Sequence, residues 1–160
     1  MAGMTKESIQ LKNVKIAWNM SEETTAFTAT LYIDGKKAAH VKNDGTGGDN
    51  HPWFLDRKVE KEFHEFCKSL PLIQPEPEFE DMEPYPQNYD SFIGDLLTEW
   101  IEDDDWKKAC KKGIVFTKHG EENNGKYWTI AKATYSKGAA SHLRERLGEE
   151  LKEIINERFI

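Results

Sequence analysis

The chain has 160 residues, 38% of them hydrophobic and 11% aromatic, which is enough to bury one domain-sized core and excludes a chain disordered throughout. Charged residues reach 32% and the apolar runs are only a few residues long, so no segment reads as a membrane-spanning helix. The net charge of -7 comes from 22 basic and 29 acidic residues that are unevenly spread: residues 69–106 hold twelve carboxylates and no lysine or arginine, leaving 22 basic against 17 acidic residues elsewhere. A field this one-sided attracts cationic surfaces and repels nucleic acid. Met1 to Gln10 lacks the apolar stretch of a secretory leader, and Cys67 and Cys110 form no CxxC pair. Both features fit a cytoplasmic protein with idle thiols.

In chain order, Ile9, Leu11, Val14, Ile16 and Trp18 alternate with polar residues, with a slip at Lys12–Asn13 that predicts a strand carrying a bulge. Phe27, Ala29, Leu31 and Ile33 give the clearest strand, and Asp34–Gly35 predicts a tight hairpin into a partner strand over Lys36 to Lys42. A glycine-rich loop, Asn43 to Pro52, follows. From about Trp53 to Leu70 the spacing of Val59, Phe63, Phe66, Cys67 and Leu70 predicts a helix ended by Pro71.

Residues 71–88 contain Pro71, Pro75, Pro77, Pro84 and Pro86, too dense for regular structure. Tyr89, Phe92, Ile93, Leu96, Leu97, Trp100 and Ile101 then give a strong helical period, with Asn88 or Asp90 as cap and Gly113 as breaker. Ile114–Thr117 and Tyr127–Tyr135 predict a second hairpin around the loop His119 to Gly125. Ser136 caps a last helix whose stripe is Leu143, Leu147, Leu151, Ile154 and Ile155. The expected fold is α+β: a single antiparallel sheet of about five strands in the order βββ-αα-ββ-α, with helices packed on one face. One domain spans 1–160, with a proline-rich acidic excursion at 71–88.

The glycine loop is the first candidate site. Asn43, Asp44, Gly45, Thr46, Gly47, Gly48, Asp49 and His51 leave a strand and enter a predicted helix, an arrangement that can gather backbone N–H groups around an anion. Asp44 and Asp49 oppose a phosphate there, and neither GxxxxGK[ST] nor GxGxxG is present. His40, Asp44, Asp49 and His51 are metal-ligand types, but their spacing matches no established pattern, so no metal and no cofactor is expected. Ser91, Ser136, Cys67 and Cys110 lie in no nucleophile motif, so no catalytic residue is assigned.

The acidic stretch is the candidate partner-binding surface. Glu80, Asp81, Glu83, Tyr85, Glu102, Asp103, Asp104, Asp105 and Trp106 combine carboxylates, which speed encounter, with aromatic anchors. The partner this implies is a protein with a basic surface, with no direct contact to nucleic acid or membrane. A C-terminal helix ending at Phe159–Ile160 leaves a homodimer open as well as packing on the sheet.

The run Phe27-Thr28-Ala29-Thr30-Leu31-Tyr32-Ile33-Asp34-Gly35-Lys36 with Asn43-Asp44-Gly45-x-Gly47-Gly48 resembles a family of small uncharacterised proteins encoded by prophages and bacteriophages. The segment Tyr135 to Ile155, with Leu143, Arg144, Gly148 and Leu151, resembles that family's C-terminal helix; the acidic middle is not covered. The resemblance implies a phage-type accessory protein in the cytoplasm of a bacterial host cell. The expected function is non-enzymatic: binding and inhibiting a host defence or nucleic-acid-handling protein through the acidic surface. The alternatives are a nucleotide- or small-anion-sequestering protein using Gly45–Gly48, and a metal-dependent hydrolase centred on His40, Asp44, Asp49 and His51.

Overall fold

A computed structural model describes residues 3–79, 81–121 and 127–160. The chain divides into two compact units, Met1–Trp100 and Ile101–Ile160, with the division falling inside one helix. The fold is α+β as expected, but the strands of the described residues form two antiparallel sheets, of four and three strands, rather than one of about five.

In the first unit, β1 (Ile9–Ile16), β2 (Phe27–Ile33), β3 (Lys36–Asn43) and β4 (His51–Phe54) pair in sequence order. The bulge expected in β1 is present: the register shifts between Lys12 and Lys15, and Asn13 takes φ 55. Asp34 (φ 53) and Gly35 (φ 76) make the tight turn between β2 and β3. Paired residues share a face of the sheet. One face carries Leu11, Leu31, Ala39 and Phe54 in register; the Phe54 ring lies 5.4 Å from Phe63 of α1 (Arg57–Ser69), Phe63 lies 5.8 Å from Phe92 of α2 (Tyr89–Lys112), and Cys67, Ile93, Leu96 and Leu97 of these helices are buried. The other face carries Lys15, Thr28, Lys42 and His51 in one row and Lys12, Thr30, His40 and Trp53 in the next.

The helix predicted from Trp53 begins later, because His51–Phe54 is a strand paired with β3. Asp56 then caps α1, accepting from the Lys58 amide at 2.8 Å. Asn88 caps α2 in a reciprocal box. Its Oδ1 accepts from the Ser91 amide at 2.9 Å, and Ser91 Oγ accepts from the Asn88 amide at 3.1 Å. Between the helices, the proline-rich excursion is pinched by a bridge between Ile73 and Tyr85, with N–H···O distances of 2.8 and 3.1 Å.

In the second unit, β5 (Gly113–Lys118) lies between β6 (Trp128–Ala131) and β7 (Leu151–Ile154). α3 (Lys137–Leu147), capped by Ser136, sets Ala140 and Leu143 against Ile114, Phe116 and Ile154. The predicted last helix therefore stops early. Gly148 takes φ 54, which ends the helix, and Leu151 to Ile154 leave it to pair with β5. Residues 155–159 form a 3₁₀ turn in place of the predicted end of that helix. The loop expected at His119 to Gly125 lies mostly outside the described residues, which omit 122–126. Among the described residues no helix is long and apolar enough to cross a membrane.

Candidate functional site

The glycine loop has its polar groups turned inward. Asn43 is buried, and its Oδ1 accepts from Thr24 Oγ1 and from the Gly45 amide, both at 2.8 Å. Its Nδ2 donates to the Gly48 carbonyl at 3.1 Å and to Asn50 Oδ1 at 3.0 Å. The Gly47 amide donates to Thr24 Oγ1, while the Gly45 carbonyl accepts from the amides of Glu22 and Glu23, both at 3.0 Å. Two of the N–H groups an anion would need are thus committed within the chain. The loop also enters β4, not a helix, which corrects the sequence expectation and removes the helix-terminal field that would help bind a phosphate. Asp44 and Thr46 are exposed beside this network.

Asp49 and Asn50 tie the loop to the start of α2. Asp90, taken from sequence as a possible cap, accepts from the Asn50 amide at 2.8 Å. The Tyr89 hydroxyl donates to Asp49, and His51 Nδ1 lies 3.4 Å from the same carboxylate. The Tyr89 hydroxyl holds Asp49 below the usual carboxylate range, and the same hydrogen bond to Asp49 pushes the Tyr89 phenol up to about 12. His40, Asp44, Asp49 and His51 do not converge: among the described residues no three His, Cys, Asp or Glu side chains could share a metal ion. The hydrolase alternative therefore has no centre in this geometry. Cys67 is fully buried, which pushes its thiol up to about 12, the reverse of nucleophile activation.

The acidic residues are divided between the two units. Asp81, Glu83 and Tyr85 are exposed in the first unit, Glu102 to Asp105 belong to the second, and Glu80 lies outside the described residues. Three acids of the stretch have internal roles. Asp90 holds Asn50, Glu99 pairs with Lys6 at 2.9 Å, and Asp104 pairs with Lys108 at 2.8 Å. Glu102, Asp103, Asp104 and Asp105 are consecutive on α2, and at about 100° per residue they point around most of the helix circumference.

The second unit does gather part of the predicted set. Glu102, Asp105 and Trp106 line an open cleft of about 750 Å³ with Lys108, Lys112, Tyr127 and Thr129. The Trp106 and Tyr127 rings meet edge to face at 5.0 Å. Lys108 is engaged by Asp104, whose hydrogen bond raises its pKa. Beside the cleft runs β6, an edge strand whose four residues are all exposed, including Trp128 and Ile130. The charge pattern singles out Glu102, Asp105 and Trp106, but nothing in it singles out Tyr127, whose position opposite Trp106 depends on strand pairing across the sheet. Asp103 lies outside the cleft lining.

No family model matches the chain, and neither a curated protein nor a solved structure matches it.

Proposed function

We propose that this is a non-enzymatic binding protein that docks a cationic segment of a partner protein in the cleft of its second unit. The observation that carries this reading is the meeting of Glu102 and Asp105 with the Trp106–Tyr127 pair on one concavity. Aromatic rings attract a cation lying over their faces, nearby carboxylates add to that attraction, and the aromatic area supplies apolar burial. The exposed edge strand β6 adds backbone groups that an extended segment can pair with. In this reading the broad acidic surface narrows to two carboxylates and two rings, beside Lys112 and a Lys108 that Asp104 already engages. The resemblance to phage-encoded accessory proteins makes the partner a host defence or nucleic-acid-handling protein of a bacterial cytoplasm, and the outcome of binding its inhibition. The glycine loop takes no part, because its polar groups hold the first unit together.

The test is affinity capture from a bacterial host lysate with the native chain, with Glu102→Lys/Asp105→Lys and with Trp106→Ala, each washed across a salt series. The expected result is a protein retained by the native chain, released as salt rises, and held at least about ten-fold more weakly by either variant. If the same proteins are retained by all three forms at every salt concentration, the cleft is not the docking site.

A further inference from the structure

We propose that the outward face of the four-stranded sheet in the first unit is a platform for single-stranded nucleic acid. The register decides what stands on this face. Lys12 and Lys15 on β1 and Lys42 on β3 flank Tyr32 on β2 and His51 and Trp53 on β4. No strand position on this face is acidic, although residues 1–100 contain 18 acidic and only 10 basic side chains. The sheet has sorted its charges: none of its strand residues is acidic, and Lys12, Lys15, Lys37 and Lys42 stand on this face. That sorting is what a polyanion requires, and it removes the basis for expecting no nucleic-acid contact, which rested on charge summed along the chain.

The rings on this face suit bases. Trp53 is 51% exposed, and its ring lies 4.5 Å from that of His51 and 6.3 Å from that of His40, its partner across the strands. On the neighbouring strands, Lys12 Nζ sits 4.6 Å above the Tyr32 ring. Aromatic surfaces set between lysines can stack bases while the ammonium groups track the phosphates, and stacking tolerates any sequence. Four strands at the usual spacing span roughly 14 Å, room for two or three bases. The four paired strands present neither a helix nor a free two-stranded ribbon on this face to enter a duplex groove, so the fit is to a single strand. Two acids border the face at its loop end, and both are engaged: Asp44 lies 3.3 Å from Lys42, and Asp49 is held by Tyr89 and His51.

The experiment is a fluorescence-anisotropy titration of the full chain with a labelled oligothymidylate, a matched duplex, and vesicles of anionic phospholipid. Saturable binding to the single strand, weaker binding to the duplex, and a log–log salt slope of about -2 are expected for three phosphate contacts. Trp53→Ala should weaken binding about ten-fold, and Lys12→Ala/Lys42→Ala should flatten the slope by about 1.4. These side chains are exposed, so the melting midpoint should not move. If Trp53→Ala does shift it, Trp53→Phe is the deciding variant: retained affinity supports stacking, and a ten-fold loss opposes it. Absence of saturable binding at low salt, equal binding to the duplex, binding to vesicles alone, or native affinity in a stably folded Trp53→Ala each overturns the proposal.

Discussion

Asn43 shows how much one buried side chain can organise. Its amide joins β3 to Thr24, Gly45, Gly48 and Asn50, and so fixes the loop that carries Asp49 and His51 toward Tyr89. Gly45 is required beside it for a steric reason: at φ +85, an added Cβ would overlap the Met20 carbonyl oxygen and sit 2.8 Å from Ala26 Cβ. Gly48 has no neighbour within 4 Å of such an atom, and its φ is unrestricted. Gly45→Ala should therefore cost more than about 2 kcal/mol in a urea unfolding series, whereas Gly48→Ala should stay within about 0.5 kcal/mol.

Among the elements, β7 is held by a residue that follows it. Asn156 is buried, accepts from the Val115 amide at 2.8 Å, and donates to the Gly113 carbonyl at 3.1 Å. It therefore locks the C-terminal segment against the first half of β5. Asn156→Ala leaves the Val115 N–H without its acceptor in the core, and should destabilise the chain by about 2–3 kcal/mol in denaturant unfolding. Arg158 reinforces the same turn through two bonds to Glu153 at 2.5 and 2.8 Å, while Arg144 of α3 reaches Glu157. The stop at Gly148 makes these pairs ties between a helix, a strand and a turn. The missed strands β4 and β7 are four residues each, too short to display a two-residue period. Their signals are the neighbouring breakers, Pro52 and the Asp56 cap for β4 and Gly148 for β7.

At the scale of the molecule, three carboxylates among the described residues have partners that favour their charged form. The Tyr89 hydroxyl keeps Asp49 low, Arg158 keeps Glu153 low, and the Tyr135 hydroxyl with Arg144 keeps Glu157 low. A carboxylate whose pKa is depressed in the folded state adds stability that is complete above its unfolded value and disappears as pH falls through the folded value. Stability should accordingly hold from neutral pH down to the ordinary values of 4.5 for Glu and 3.8 for Asp, then decline below them. Glu153→Gln/Glu157→Gln should be less stable than the native chain at neutral pH and show a shallower acid limb in urea midpoints measured against pH. An unchanged limb would mean that these pairs contribute nothing measurable, as many exposed ion pairs do.

What the sequence determined by itself is the local grammar: the bulge at Lys12–Asn13, the Asp34–Gly35 turn, the caps at Asn88 and Ser136, and the apolar faces of the helices. Each follows from dihedral preference or periodicity within a few residues. It also showed that acids crowd residues 69–106, but density along a chain is not density on a surface. A helix turns about 100° per residue, so neighbours in sequence point apart. Only tertiary pairing brought Trp106 to Tyr127, split the strands into two sheets, and set Lys12, Lys15 and Lys42 on one acid-free face. Such pairings join segments far apart in the chain and are selected by which faces can be buried together, a property of the assembled fold that no local window contains.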